Sequence, residues 1–141
     1  MAVHAVREPG SGRAYVLVKL RTNTGVTGWG ETHARPDPAT AVANVLRWRE
    51  RLTGLDALAS ETARVRLADA PPELRAAVDM ALLDIKGRIA KAPVYDLLSG
   101  RTRDKARAVA VLARDADMDG ARAAGFRSFS VRVDVPEGPV R

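Results

Sequence analysis

Apolar residues recur at different intervals in different parts of this chain, and the change of interval sorts it into segments. From Glu73 to Gly100 the spacing is helical: Leu74, Val78, Ala81, Leu82, Ile85 and Ile89 fall three or four residues apart or directly adjacent. Pro71 and Pro72 fit only the first turn of such a helix. Glu73 stands near the positive end of its dipole, and Lys86, Arg88 and Lys91 near the negative end. Pro93 stops the helix one residue after Ala92. A short apolar run, Val94 to Leu98, then closes at Gly100. Each large apolar side chain contributes about 1.5–3 kcal/mol when buried, so this helix is the predicted centre of the core.

Upstream the pattern is that of strands. Ala2 to Arg7 is a weak strand, and Glu8 to Gly12, with Pro9, Gly10 and Gly12, is a turn. Tyr15 to Arg21 is apolar on both faces. Thr22-Asn23-Thr24-Gly25 is a turn with glycine where a positive φ is expected. Val26 to Thr32 returns, completing a hairpin within a three-stranded antiparallel sheet. Gly28 and Gly30 flank Trp29; glycine inside a strand marks a bulge or the close approach of another backbone. The expectation here is that Trp29 packs on the helices. Asp37 caps a helix starting at Pro38, with Val42, Val45, Leu46 and Leu52 lining one face up to Gly54. A second helix is predicted from Ser60 to Leu67, with Ser60 as its N-cap. Strands followed by a run of helices make an α+β pattern.

The pattern changes again after Gly100. Lys105 to Leu112 reads as a strand, Asp115 to Ala124 as an alanine-rich helical turn ending at Gly125, and Phe126 to Val135 as a strand closed by Pro136. This is one β-α-β unit, a connection that pairs parallel strands.

Composition narrows the classes. The chain has 141 residues, 46% hydrophobic and 28% charged, enough for one domain with a real core. It has no cysteine, which excludes disulfides and thiolate metal sites. The start, MAVHAVREPGSG, lacks the apolar stretch of a signal peptide, and no run approaches a membrane span. The expected location is cytoplasmic. The net charge is +6 and the pI about 10.5. Yet Arg47, Arg49, Arg51, Arg64, Arg66, Arg75 and Arg88 are dispersed and interleaved with acids, and only Arg101, Arg103, Lys105 and Arg107 cluster. Aromatics at 4% are too few for a stacking platform. The basic balance therefore describes a solvated surface, with neither nucleic acid nor membrane as partner.

Two segments carry a resemblance. AAVDMALLDIKGRIAKAPVYDLLSG is similar to the signature helix and exit of the capping domain in the mandelate racemase/muconate lactonising group of the enolase superfamily. Val16 to Thr32, VLVKLRTNTGVTGWGET, resembles the hairpin of the same domain, with its Gly-Trp-Gly-Glu ending. They stand in the family's order and at about its spacing, and the likeness covers nearly the whole chain. The implied fold is an α+β capping domain, an antiparallel three-stranded sheet followed by a helical bundle, over residues 1–103. Residues 104–141 would be the first β-α-β of a (β/α) barrel. A complete barrel takes roughly 250 residues, so the barrel is expected to be incomplete here. The resemblance implies a magnesium-dependent dehydratase, racemase or cycloisomerase. Such an enzyme takes the α-proton of a small carboxylate through a magnesium-stabilised enolate. The family's magnesium ligands lie on later barrel strands, so no metal ligand and no cofactor are expected within this chain. Family members commonly form oligomers, which makes a homo-oligomer an expected state.

The family's Lys-x-Lys motif, on the second barrel strand, corresponds here to Ser130-Val131-Arg132. Its second position is the base and its first lies beside the substrate carboxylate. Arginine is permanently protonated and a poor base, and serine brings no charge. Residues two apart on a strand share a face, so both are expected to face the barrel interior. By the same resemblance His33 lies where a loop covers the active site and would touch substrate; a plain surface histidine is the bland reading. Glu31, part of the signature, is expected to pair with a backbone amide or an arginine. Asp115, Asp117 and Asp119 in DADMDG have the start of a calcium loop's spacing but no acid at its end, which favours a helix cap. Asp79 and Asp84, five apart, do not share a helix face, and Asp84 is placed to pair with Arg88. His4 has no carboxylate partner nearby in sequence, and Gly10-Ser11-Gly12 is too short for a phosphate cradle. Two readings stand: part of such an enzyme, inactive alone, or a non-catalytic binding or oligomerisation module built from the capping domain.

Overall fold

The computed structural model describes residues 1–34, 37–112 and 117–131. The chain divides into two compact units, Met1–Gly100 and Arg101–Arg141.

In the first unit β1 (Ala2–Arg7), β2 (Ala14–Arg21) and β3 (Thr27–His33) form an antiparallel sheet in sequence order. The β2–β3 turn closes as its residues dictate. Thr22 N–H donates to the Val26 carbonyl at 2.9 Å, Val26 N–H donates to Thr22 Oγ1 at 3.0 Å, and Gly25 takes a φ of 91°. Val16, Val18 and Leu20 alternate inward along β2 and are buried. Against them lie α1 (Pro38–Leu46), α2 (Arg49–Leu52), α3 (Ser60–Arg66) and α4 (Pro72–Ala90), while α5 (Val94–Leu97) packs on α4. α4 packs on β3 and β2, and α1 on β1 and β2.

The 19-residue α4 is the predicted centre. Leu74, Ala77, Val78, Ala81, Leu82 and Ile85 are all buried, packed with Val18, Leu20, Val45 and Leu67. Ile89 is not: it lies in the last turn, 47% exposed. Lys91 ends the helix in the left-handed conformation, φ 50°, letting Ala92 N–H reach the Gly87 carbonyl at 3.0 Å, with Pro93 just beyond.

Three local expectations need correction. The helix from Pro38 does not run on to Leu52; it breaks at Arg47–Trp48, where Trp48 N–H bonds Val45 by a tight i−3 contact. The break swings Trp48 and Leu52 against the core and leaves Leu46 outside. Ser60 is not the N-cap of α3; Ala59 holds that place, and the Ser60 hydroxyl accepts from Lys86 Nζ at 2.6 Å. Trp29 does not pack on the helices. It points to the opposite face of the sheet and is 39% exposed. The reason is Gly28 and Gly30, which face α4: a Cβ on either would overlap the carbonyl oxygen of Ala81 or Ala77. The strand meets the helix backbone to backbone, so the residue between the glycines must turn away. Val94 to Leu98 adds little core, for α5 is largely exposed.

The second unit holds β4 (Ala110–Leu112), α6 (Met118–Ala123) and β5 (Phe129–Val131), with β4 and β5 parallel and Val111 opposite Ser130. The predicted strands were longer, starting at Lys105 and at Phe126. Among the described residues ladder pairing holds only three residues of each, and the rest of those stretches are mostly exposed.

Candidate functional site

The outer face of the first sheet follows from its register. Trp29 lies across from Lys19, Glu31 from Leu17, which faces His4 on β1, and His33 from Tyr15, which faces Val6. Lys19 Nζ sits 5.0 Å from the centre of the Trp29 ring, and the His4 ring is 5.7 Å from it, centre to centre. Sequence reasoning missed this cluster, although strand parity held the signal: once Gly28 and Gly30 face a helix, Trp29 must join Lys19 outside.

His33 is the last residue of β3 and is exposed. It stands at the same end of the sheet as the β1–β2 turn. That turn is ordered from within: Arg7 donates to the Gly12 carbonyl at 2.6 Å, Glu8 N–H to the Arg13 carbonyl at 2.8 Å, and the Ser11 hydroxyl to the Glu8 carboxylate. Asp37, which opens the helix after β3, accepts from the amides of Ala39 and Thr40 at 3.0 Å. The hydrogen bonds from Thr40, its side chain foremost, hold the Asp37 carboxyl below its ordinary value. Glu31 makes neither expected pairing among the described residues; it is exposed on the outer face.

The missed anchor is Asp84. Its Oδ2 accepts the Trp29 N–H at 3.0 Å while Oδ1 accepts from Arg88 Nε at 2.9 Å. The expected pair with Arg88 is present, and the same carboxylate ties α4 to β3 across 55 residues of sequence. A contact so distant leaves no local trace in the chain. Elsewhere Arg51 pairs with Asp69, holding that carboxyl below its ordinary value, and Arg64 bridges Glu61 and Asp79. These arginines have acidic partners and are exposed, as a solvated basic surface requires.

In the second unit Ser130 lies on β5 beside Val111, which is 82% exposed. Phe129, next to Ser130, lies under the Arg122 guanidinium of α6, 5.6 Å from its ring centre. Ser130 thus takes the strand face that α6 does not cover. Arg132 and Asp115 lie outside the described residues. Asp117 immediately precedes α6, and Asp119, in its first turn, pairs with Arg122 at 3.6 Å. No group of three His, Cys, Asp or Glu among the described residues could hold a metal ion. No described helix is long and apolar enough to cross a membrane. A groove of about 690 Å³ in the first unit runs between Thr22–Thr24, Thr53–Leu58 and the end of α4. Its floor includes Leu52, Leu82 and Ile85, and none of the sequence-predicted site residues lines it.

Comparison with known proteins agrees with this architecture. The family model for the mandelate racemase/muconate lactonizing enzyme N-terminal domain matches residues 1–99. The chain is 34% identical over 131 residues to a D-galactonate dehydratase of Ralstonia pickettii (strain 12J), covering 83% of this chain and 34% of that protein. It thus spans about a third of the length of the curated relatives it matches. Among solved structures it is similar to a muconate cycloisomerase from Azorhizobium caulinodans, 31% identical, TM-score 0.77, covering 95% of this chain and 41% of that one. It also resembles a protein of the mandelate racemase/muconate lactonizing type from Roseovarius nubinhibens ISM, solved in complex with magnesium. There the identity is 25% and the TM-score 0.81, covering 96% of this chain and 42% of that one. The small parallel sheet of the second unit fits the start of a barrel. With its antiparallel sheet, its Gly-Trp-Gly-Glu edge strand and its signature helix, the chain belongs to the mandelate racemase/muconate lactonizing enzyme family of the enolase superfamily.

Proposed function

We propose that this chain is the N-terminal portion of an enzyme that removes the proton beside the carboxylate of a small acid. The first unit acts as the lid and the second begins the barrel that carries the chemistry. Family membership over residues 1–99 supports the reading, and the matched dehydratase and cycloisomerase are named for reactions of carboxylates. We place the division between lid and barrel at Arg103, and the protein's work in the cytoplasm.

Ser130 is read as the position beside the substrate carboxylate. It occupies the strand face bare of α6, which a closed barrel turns inward. Arg132 is read as the position of the base. A guanidinium binds a carboxylate well but has no usable pKa for proton transfer near neutrality. The proton would therefore leave through a base on the opposite side. His33, at the rim of the lid, would touch the substrate. Magnesium is present in the Roseovarius neighbour, but the described residues hold no ligand set that fits it. Its ligands would come from elsewhere in a complete enzyme, and the chain by itself would be inactive.

The test is a fusion of this chain to the remaining barrel of the Ralstonia relative, assayed by deuterium incorporation into a carboxylate substrate in heavy water, stereochemistry resolved. We expect no exchange from this face, restored by Ser130→Lys with Arg132→Lys, and a raised KM in His33→Ala. Exchange from this face untouched by Arg132→Met would overturn the motif alignment; loss of exchange in that variant would make Arg132 the base.

A further inference from the structure

The three-stranded sheet has two outer edges, built differently. The Thr22 N–H bond to Val26 sets the β2–β3 ladder; counting by twos, Gly28 and Gly30 bond inward to Leu20 and Val18. Thr27, Trp29, Glu31 and His33 therefore turn their backbone groups off the edge. The middle of that row is closed: Trp29 N–H is taken by Asp84 at 3.0 Å, and Arg88 stands behind the same carboxylate at 2.9 Å. A strand adding here would meet a charged pair at its centre.

The β1 edge is the reverse. Glu8 N–H bonds Arg13, so the even residues Ala2, His4 and Val6 bond inward to Lys19, Leu17 and Tyr15. Val3, Ala5 and Arg7 turn outward. No described residue bonds the backbone N–H or carbonyl of Val3 or Ala5. His4 to Arg7 is exposed, with Val6 at 44%, and Ala2 to Val6 contains no proline, lysine or acid. Open edges of this kind, with their one charge, Arg7, at the end of the strand, template strand addition.

We infer that the β1 edge is a seam for a second copy of this chain, two β1 strands pairing antiparallel about Ala5 into a continuous six-stranded sheet. The edge is self-complementary in that register. Ala5 meets Ala5 of the second copy, Val3 meets Arg7, and His4 meets Val6, so no like charges face each other. A foreign strand would need no such symmetry. The seam is only about 20 Å long and buries less than a standard interface, so the dimer is weak and concentration-dependent.

The test is sedimentation equilibrium of the whole chain from about 10 µM to 1 mM, a range matched to weak association. We expect a reversible monomer–dimer equilibrium, with the Ala5 amide exchanging more slowly as concentration rises. Ala5 is exposed, so its substitution leaves the core intact. Ala5→Lys alone and Ala5→Glu alone put like charges on the two-fold axis and should each weaken association about tenfold or more. Their equimolar mixture should restore it. A chain that stays monomeric to 1 mM, an Ala5 amide whose exchange ignores concentration, or self-association unchanged in Ala5→Lys would each overturn the seam.

Discussion

Gly30→Ala tests the backbone contact on which the first unit rests. In a strand this substitution would ordinarily gain about 0.5–1 kcal/mol from reduced chain entropy. Here the sign inverts. The new Cβ would overlap the Ala77 carbonyl oxygen and lie 2.7 Å from its carbon, where carbon atoms prefer about 3.5–4.0 Å. Both partners are backbone, so no rotamer relieves the overlap, and β3 must lift about 1 Å from α4. Overpacking of this kind costs about 1–3 kcal/mol. The lift also stretches the 3.0 Å bond from Trp29 N–H to Asp84 beyond hydrogen-bonding range, forfeiting about 1.5 kcal/mol more for a charged acceptor. The net expectation is a loss of about 2–4 kcal/mol, which lowers the melting temperature of a unit this size by roughly 10–25 °C. Urea denaturation followed by tryptophan fluorescence measures it, with Gly10→Ala as control. There a Cβ would have its nearest neighbour at 3.9 Å, and the change should stay within about 0.5 kcal/mol. A Gly30→Ala protein as stable as the parent would refute the backbone contact.

Leu82→Ala, at a site 3% exposed in the middle of α4, should cost about 2–5 kcal/mol by the same melts; no loss would remove α4 from the centre of the core. Asp84→Ala should cost about 1.5 kcal/mol and speed exchange of the Trp29 amide, read residue by residue by NMR; an amide already in fast exchange in the parent would deny the bond. Asp37 and Asp69 both have carboxyls held below their ordinary values, by Thr40 and Arg51 respectively. The stability they add is present above the unfolded-state value near 3.9 and disappears as pH falls through their lowered folded values. Denaturation midpoints measured from pH 6 down to about pH 2 should therefore fall less steeply in Asp37→Asn with Asp69→Asn, and an identical slope would contradict both shifts.

What was readable in the chain was whatever depends on near neighbours. The spacing of Leu74 to Ile85, the prolines before α4 and the turn at Gly25 each act within a few residues, and each stands as read. The Asp37 cap is of the same kind. Ser60 looked like a cap for the same local reasons but was drawn inside its helix by Lys86, 26 residues away. Trp29 was misplaced because its direction depends on which face of β3 meets α4, and that is settled by Ala77 and Ala81, far along the chain. The break at Trp48 likewise serves packing, since a straight helix would have carried Trp48 and Leu52 past the core. At the candidate site, the identity of Ser130 and His33 came from a family pattern, whereas their surroundings came only from the assembled sheets.

The bond from Trp29 to Asp84 also sets a schedule for synthesis. The three strands can meander together as soon as they leave the ribosome, since each turn between them is short. Their inner face, with Val16, Val18 and Leu20, has nothing adequate to cover it until α4 arrives, some fifty residues later. Through that interval the nascent chain presents an apolar sheet to solvent, and its β3 edge is still open because Asp84 has yet to be made. Domains acquire structure as they emerge, at about 5–20 residues per second, so the exposure lasts seconds. Chaperone capture should therefore peak on chains arrested just short of Glu73 and decline once the whole of α4 is clear of the exit tunnel.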